Sequence, residues 1–471
     1  MKNSNDVWDL VEQKRDAFFA LSDQVWDTPE TNFEEYLSAQ EHARILDHEG
    51  FRTQIGVAGM PTALVGEAGE GGPVIAILGE YDALPGLSQE AGVAVERPLV
   101  DGGHGHGCGH NLLGTGSLMA ATAVKDYLAA NGIKGRVRYY GCPAEEGGSA
   151  KGFMVRAGLF DDVDVAICWH PAAFAGVNKP VSLACCEISF QFNGRASHAA
   201  ATPHLGRSAL DAVELMNIGV NYMREHMPSS ARIHYAITDS GGNAPNVVQA
   251  RAVVRHLVRA KTLPELMELV ARVRKIADGA ALMTETSVSS HVVSGDANLI
   301  GNTPLEELMH KHLERLGPPV FDDADKRKAA EFQKTFSEED IRSSFARFGQ
   351  PVCKDLSLCD TIIPLGVGDD NFVGSTDVGT VSWVVPTVQM RGATFAIGTP
   401  GHSWQLVAQG KLPAAHKGME HAAKVMAATA VDLICNPEYI AQAKSDFDKR
   451  LDGVQFINPL PDDVQPAIPE K

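Results

Sequence analysis

Apolar and polar positions alternate along the first half of the chain in a pattern that predicts strands and helices in turn. Short apolar runs at residues 73–85, 135–140 and 163–171 are typical of buried strands, whereas residues 112–132 carry apolar side chains at helical spacing and end on Asn-Gly. Strands that alternate with helices form a mostly parallel sheet with helices packed on it. A ligand then binds beyond the carboxyl ends of the strands.

The pattern changes near residue 183. From there to about residue 297 it predicts strand, helix, two strands, helix and strand, which is a compact β-α-β-β-α-β module. Residues 302–317 and 381–390 then resume a core of helices and sheet. We therefore predict an α/β fold with a mostly parallel sheet and covering helices, built from residues 1–183 and 298–471, and an inserted α+β domain at residues 184–297.

The overall charge excludes two classes of partner. The 471 residues include 59 acidic and 41 basic side chains, a formal net charge of −18, so a nucleic acid or an anionic membrane surface meets repulsion. No apolar run reaches the roughly 20 residues that span a bilayer, and the first residues are typical of an amphipathic helix instead of a secretory signal. We expect a cytoplasmic protein whose eight cysteines do not form a disulfide framework.

The polar residues at the ends of three predicted strands are candidates for chemistry. Glu80 and Asp82 follow the first strand, Glu145 and Glu146 the second, and His170 the third. Because the carboxyl ends of parallel strands meet at one edge of a sheet, we expect these side chains to converge there. Adjacent carboxylates suit a division of work in which one binds a metal and the other takes a proton from the attacking water.

The segment DGGHGHGCGHNLLGTG is the strongest indication of a metal. It places His104, His106, Cys108 and His110 on alternate positions of a glycine-rich loop, where polar groups are costly to bury without a partner. Alternate residues of an irregular loop cannot all reach one metal pair, so His104 and His106 have the weaker claim. His402, in the turn GTPGHSWQ, can fold back to the same edge. The candidate ligands are Cys108, His110, Glu146, His170 and His402.

Short motifs along nearly the whole chain resemble those of the M20 metallopeptidases, and within them the aminoacylase and hippurate-hydrolase branch. In chain order they are GEYDALPG, HGCGHN, GCPAEEGGSAKGFM, WHP, SHAAATPHLGRSALDA, APNVVQA and GTPGHSWQ. The resemblance implies two divalent metal ions per subunit, Mn²⁺ or Zn²⁺, with Glu145 as general base and Asp82 as a supporting residue. The metal ligands that it implies are the same five: Cys108, His110, Glu146, His170 and His402.

Two positions depart from the family pattern. Many members have a histidine ligand where this chain has Glu80, and the pair Cys108 and His110 compensates for its absence. Most of the branch has an aspartate where Asn111 stands, which changes the local charge and bears on the choice of metal.

The inserted domain resembles the family's lid and dimerisation domain. By that resemblance His198, in GRASHAA, reaches the active site of the partner subunit, where an imidazole N–H can donate a hydrogen bond to the developing oxyanion. Asn246 and Arg255 are candidates to bind a carboxylate of the substrate, Arg255 through two parallel hydrogen bonds. We expect a homodimer, or a heteromer with a related subunit, that forms through this domain.

The resemblance implies a metal-dependent amidohydrolase that cleaves N-acyl or N-aroyl amino acids. The expected substrate is p-aminobenzoyl-glutamate or a related conjugate, and the alternative is another aromatic conjugate such as an indoleacetyl amino acid. A non-catalytic partner subunit of a heteromeric hydrolase is a hypothesis from a different class, and the complete ligand set beside Glu145 argues against it. The same adjacent carboxylate disfavours a metal-storage protein.

Overall fold

The computed structural model describes residues 3–368 and 374–469, which form two β-sheets with covering helices. The strands are β1 (Arg52–Ile55), β2 (Leu64–Glu70), β3 (Val74–Glu80), β4 (Gly135–Cys142), β5 (Val165–Ala172), β6 (Gly176–Val177), β7 (Ala184–Asn193), β8 (Arg232–Asp239), β9 (Arg251–Ala260), β10 (Ser287–Asp296) and β11 (Thr387–Ala393). The helices are α1 (Asn3–Gln13), α2 (Arg15–Asp27), α3 (Tyr36–His48), α4 (His110–Asn131), α5 (Ala150–Arg156), α6 (Ala209–Met223), α7 (Leu263–Thr284), α8 (Thr303–Leu316), α9 (Asp323–Gln333), α10 (Glu338–Arg347), α11 (Val378–Ser382), α12 (Trp404–Gln409), α13 (Pro413–Cys435) and α14 (Pro437–Leu451). Short 3-10 helices lie at Val57–Gly59, Pro203–Leu205 and Arg224–His226.

The larger sheet has a parallel centre and antiparallel edges. Its strand order is β1-β2-β4-β3-β5-β11-β6, in which β4, β3, β5 and β11 run parallel to one another. Strands β1, β2 and β6 pair antiparallel at the two edges. The predicted mostly parallel sheet with covering helices is confirmed. The edge strands could not be predicted from the apolar pattern because β1 is polar and exposed, β2 is interrupted by glycines, and β6 has two residues.

Helix α4 fixes the edge of the sheet where the candidate residues lie. It packs against β3 so closely that a Cβ atom on Gly114 would lie 2.3 Å from the carbonyl oxygen of Glu80. Trp169 of β5 is fully buried beneath this helix and donates its indole N–H to the carbonyl of Leu113, at 2.9 Å. These contacts hold the start of α4 against the ends of β3 and β5.

The amino-terminal segment is two helices, where the sequence predicts one. Helix α1 packs on α13 and α4, whereas α2 packs on α4 and α3. Lys14 lies between them and its ammonium group pairs with Glu49 at 2.7 Å and Asp126 at 2.8 Å. The helix is interrupted at Lys14, and although both halves contact α4, α1 also packs on α13 and α2 on α3.

The smaller sheet has the order β10-β7-β9-β8 and is antiparallel throughout. Along the chain its elements follow the order β7-α6-β8-β9-α7-β10, which is the predicted β-α-β-β-α-β arrangement. Strand β9 begins at Arg251. Strands β7 and β10, which connect this sheet to the rest of the chain, are neighbours, with Cys185 opposite Asp296.

A membrane span needs a helix that is both long and apolar. None of the helices within residues 3–368 and 374–469 is long enough and apolar enough to cross a bilayer.

Candidate metal centre

Several segments deliver polar side chains to the carboxyl end of the parallel strands. Strand β3 ends at Glu80, and Asp82 follows it; strand β4 ends at Cys142, and Glu145 and Glu146 follow it. His170 lies near the end of β5, and His110 is the first residue of α4. The structure thus brings together side chains that are far apart in the sequence.

Asp82 joins two of these segments. One of its carboxylate oxygens lies 2.8 Å from Nδ1 of His110, and the other accepts the backbone N–H of Glu146 at 2.9 Å. A ring N–H at Nδ1 donates to Asp82, so the lone pair of His110 lies on Nε2, which is the arrangement of a metal-binding histidine with a carboxylate behind it. Burial disfavours the charged form of both side chains, but the attraction between them outweighs it. The pKa of Asp82 is therefore lowered, and the pKa of His110 is raised by Cys108 and Asp82 together.

Cys108 occupies the centre of the cluster. Its sulfur lies 3.3 Å from Nε2 of His170, whose Nδ1 lies 2.8 Å from the carbonyl of Pro171 and donates to it. His402 brings its own Nε2 to 3.3 Å from Oε1 of Glu146. Ligand atoms within 4.8 Å of one another form three groups: Cys108, His110 and His170; Cys108, Glu146 and His402; Glu80, His110 and Glu145. Cys108 belongs to the first two groups and His110 to the first and third.

The donor atoms of this cluster fit a divalent metal ion. Nε2 of His110 and Oε1 of Glu146 are buried, and neither has a hydrogen-bond partner among the described residues. Nε2 of His110 and Oε2 of Glu80 are 3.3 Å apart, yet they are not aligned for a hydrogen bond. Buried polar atoms without partners are costly, and metal–ligand bonds of about 2.0–2.3 Å from thiolate, imidazole and carboxylate donors satisfy them.

The backbone is strained at two positions of the cluster, one directly before Glu145 and one at His402. Ala144, directly before Glu145, has φ of +50°, and His402 has φ of +53°. Such left-handed conformations cost residues other than glycine roughly 1–2 kcal/mol each and collect at functional sites. Both are held by hydrogen bonds: the N–H of Ala144 donates to Glu35 and that of His402 to the carbonyl of Gly107, each at 3.0 Å.

Burial is the largest influence on Glu145. Together with repulsion from Glu80 and Glu146, it raises the pKa of Glu145 well above the ordinary value of a carboxyl group. Glu145 and Glu146 both line a cavity of about 670 Å³, along with Cys108, His170 and His402.

A buried ion-pair network behind the cluster was not predicted from the sequence. Lys151 of α5 is fully buried, and its ammonium group lies 2.6 Å from Glu80 and 2.6 Å from Asp377. Burial opposes the charge of Lys151, but the two carboxylates outweigh it and raise its pKa. The one sign of a buried ion pair in the sequence is a lysine within the otherwise apolar segment AKGFM. Its partner Asp377 lies 226 residues further along the chain, and nothing in the local sequence marks it as a partner.

Asn111, which departs from the family pattern, has a role that an aspartate could not fill. Its amide nitrogen donates to Ser22 at 3.1 Å and to the carbonyl of Gly410 at 3.2 Å. A carboxylate would face the carbonyl oxygen of Gly410 without a proton to donate. Of the two weaker histidine candidates, His106 is buried with Nε2 3.0 Å from the carbonyl of Val25, and His104 is exposed.

Three predicted residues of the inserted domain lie away from the cavity of their own chain. His198 is exposed in the loop after β7, and its Nδ1 accepts the N–H groups of Ala200 and Ala201 at 3.2 and 3.1 Å, which leaves the proton on Nε2. Asn246 lies in the loop before β9, which begins at Arg251. Arg255 pairs with Glu187 at 3.2 Å.

The comparisons with known proteins identify the family of the chain. Residues 76–338 match the peptidase family M20/M25/M40, and the chain belongs to this family of hydrolases. It is 45% identical over 469 residues to one of the subunits of p-aminobenzoyl-glutamate hydrolase from Escherichia coli (strain K12), covering 98% of each chain.

Two solved structures share the fold. One is a putative aminohydrolase from methicillin-resistant Staphylococcus aureus, with 16% identity, a TM-score of 0.66, and coverage of 92% of this chain and 100% of that one. The other is the YXEP protein of Bacillus subtilis, described as a dinuclear metal-binding peptidase of the M20 family, with 17% identity, a TM-score of 0.53, and coverage of 88% and 99%.

The network around Lys151 generates a prediction about stability. Lys151→Met leaves the buried carboxylates of Glu80 and Asp377 without their cation, and breaking a buried ion pair from one side costs about 3–5 kcal/mol. We expect the free energy of unfolding, measured by urea denaturation at neutral pH, to fall by that amount.

The matched control is Lys444→Met. Its ammonium group pairs with Asp164, but the side chain is 51% exposed, so we expect a loss within about 1 kcal/mol. Equal losses for the two variants would show that the buried network does not stabilise the fold.

Proposed function

We propose that this chain is a metal-dependent amidohydrolase that cleaves the amide bond of N-acyl or N-aroyl amino acids, with p-aminobenzoyl-glutamate as the first candidate substrate. The observation that carries the proposal is the cluster of Cys108, His110, Glu146, His170 and His402 beside Glu145 at one cavity. The similarity over nearly the full length to a p-aminobenzoyl-glutamate hydrolase subunit supports the choice of substrate.

The proposed cofactor is a pair of divalent metal ions, for which Cys108 belongs to both groups of candidate ligands. Cys108, His110 and His170 would hold one ion, and Cys108, Glu146 and His402 the other. Thiolate and imidazole donors suit Zn²⁺, and the carboxylate also suits Mn²⁺. When bound, such ions activate a water molecule and polarise the scissile carbonyl.

The chain's own residues then move the protons. Glu145 lies in the cavity within 4.8 Å of the ligand atoms of Glu80 and His110, where it can take a proton from the attacking water. The same carboxyl group can deliver that proton to the leaving amine. Asp82 keeps His110 in the tautomer that presents Nε2, so it acts as a positioning residue.

Residues 184–297 serve as the lid and dimerisation domain in this proposal. Because His198 carries its proton on the exposed Nε2, it can donate a hydrogen bond to the oxyanion in the site of a partner subunit. Asn246 and Arg255 of the same lid would contact a substrate carboxylate. The partner is a second copy or a related chain, since the similar Escherichia coli protein is named as one subunit of its hydrolase.

Two alternatives are tested by the same assays. Another aromatic conjugate, such as an indoleacetyl amino acid, would use the same residues with a different acyl group. The second alternative is that the chain is a non-catalytic partner subunit. The name of the Escherichia coli relative as a subunit favours this alternative, whereas the complete set of candidate metal ligands disfavours it. Purified chain loaded with Mn²⁺ or Zn²⁺ and assayed on acyl-glutamates and acyl-aspartates separates them, because a non-catalytic subunit cleaves none of these substrates alone.

Metal content is the first prediction from the proposal. The unmodified chain should bind two divalent ions per subunit and lose activity on chelation. Cys108→Ala and His402→Ala should each bind less metal, as measured by inductively coupled plasma mass spectrometry. His104→Ala, at an exposed histidine of the same loop, is the control that should keep two ions. Full metal content in both ligand variants contradicts the proposed set.

The second prediction concerns proton transfer. Glu145→Gln keeps the shape of the side chain but cannot take a proton, so turnover should fall at least about a hundredfold while metal content and circular dichroism stay unchanged. Glu96→Gln, at an exposed carboxylate, should turn over normally. A loss below about tenfold for Glu145→Gln would assign the proton transfer to another group, since a lost general base costs roughly a hundredfold or more.

The third prediction places His198 across a subunit interface. His198→Ala should lose about a hundred- to a thousandfold in turnover, the usual effect of a lost oxyanion donor, and keep its metal. Mixed with Glu145→Gln under conditions of subunit exchange, it should regain activity, because one site of the mixed dimer combines an intact Glu145 with an intact His198. If exchange is verified and activity does not return, His198 does not act on the neighbouring site.

A further inference from the structure

Arg391 lies beside the candidate metal ligands. It belongs to β11, which pairs in parallel with β5, and the register places Arg391 directly opposite His170. Its side chain lines the same cavity as Cys108 and Glu145. Arg391 therefore faces any substrate whose scissile bond lies at the cluster.

The guanidinium group of Arg391 is held by a hydrogen bond, and among the described residues no carboxylate forms an ion pair with it. Its Nε donates to Oδ1 of Asn178 at 3.0 Å, and Asn178 in turn donates to Gln389 at 2.9 Å. In the part of the chain that the structure describes, no carboxylate lies within 4.0 Å of this guanidinium, and no protein acceptor bonds its two terminal nitrogens. Arginine is rarely left in such surroundings, because a charge withdrawn from water without a partner is costly.

A second arginine comes from a different element. Arg347, the last residue of α10, lines the same cavity. Burial, reinforced by repulsion from Arg391, lowers the pKa of Arg347 to about 10, so the two guanidinium groups act on each other. Two neighbouring cations in one cavity attract an anion with more than one negative group.

We propose that Arg391, with Arg347 beside it, forms the subsite that binds the free carboxylates of the substrate's amino-acid half. The inference rests on the proposed amide hydrolysis for the identity of the ligand. The terminal nitrogens of Arg391 can form two parallel hydrogen bonds with one carboxylate, as guanidinium groups do. An N-acyl glutamate or aspartate carries a second carboxylate, and the positive charge of Arg347 at the same cavity attracts it.

This subsite differs from the one expected on the lid. Arg255 is paired with Glu187 at 3.2 Å and lies outside the cavity of its own chain, whereas Arg391 is available within it. A substrate with two carboxylates can bind Arg391 through one of them and Arg255 of a partner subunit through the other. The Arg391 subsite, however, needs no partner subunit, and it makes acyl-dicarboxylic amino acids the preferred substrate class.

The test measures binding without metal. The full chain, stripped of metal ions by chelation, is titrated in a calorimeter at low ionic strength with p-aminobenzoyl-glutamate and with its diamide, in which both carboxylates are carboxamides. We expect the unmodified chain to bind the dicarboxylate at least tenfold more tightly than the diamide. Arg391→Met should bind the dicarboxylate roughly tenfold to hundredfold more weakly, as for a lost hydrogen-bonded charge, and the diamide equally well.

The charge control is Arg52→Met, which changes the net charge equally. Arg52 is 60% exposed on the edge strand β1, and four strands separate it from β11. Arg52→Met should therefore prefer the dicarboxylate over the diamide by the same ratio as the unmodified chain. If Arg391→Met does not fold, as judged by circular dichroism, Arg391→Lys decides, because lysine keeps the charge but cannot form two parallel hydrogen bonds. Dicarboxylate affinity within twofold of the unmodified chain in Arg391→Lys then overturns the proposal.

Other outcomes are equally decisive. Arg391 could instead act as the counter-ion of the Cys108 thiolate; in that case Arg391→Met alters metal affinity and leaves the ratio between dicarboxylate and diamide unchanged, which overturns the proposal. Equal or undetectable binding of the two ligands by the unmodified chain also overturns it. A Mn²⁺-loaded chain that binds the dicarboxylate selectively, yet releases no p-aminobenzoate, refutes the proposed function and supports the subsite.

Discussion

The hydrogen bonds of Asp82 hold the candidate centre together, since its two carboxylate oxygens serve different segments of the chain. One oxygen orients the ring of His110 at the start of α4, and the other fixes the backbone at Glu146 after β4. Asp82 is itself buried directly after β3, with only 1% of its surface exposed. The relative positions of His110 and Glu146, two candidate metal ligands, therefore depend on one side chain that the sheet holds in place.

Charge is distributed unequally across the cavity. The end formed by Glu145 and Glu146 is acidic and rests on the buried pair of Glu80 and Lys151, whereas Arg347 and Arg391 make the adjoining wall basic. An acyl amino acid with a free carboxylate has one orientation that suits both ends, with its amide at the candidate metal ligands and its carboxylate at the arginines. Electrostatic complementarity of this kind selects an orientation more than it adds affinity.

The sequence predicts features that depend on local pattern and on strand ends. Glu145 and His170 could be placed at one edge of the sheet because parallel strands end together, and the structure brings them to one cavity. Lys151 and Arg391 could not be foreseen, because their partners Asp377 and Asn178 lie 226 and 213 residues away in sequence and follow no periodic pattern. The roles of the ligands and of the lid residues, the domain boundaries and the cytoplasmic location stay predictions.

The adjacency of β7 and β10 has a mechanical consequence. The smaller sheet joins the rest of the chain through these two neighbouring strands, with Cys185 opposite Asp296 where both enter the sheet. Two connections side by side define a single axis, whereas widely spaced connections would lock the sheet in place. Rotation about that axis would move Leu257 and Arg259 of β9, which line the cavity, and would break the hydrogen bond from Arg259 to Ser375 at 3.3 Å. The bonds of Asp82 all lie outside the smaller sheet, so such a rotation would change one wall of the cavity and leave the candidate ligands in place.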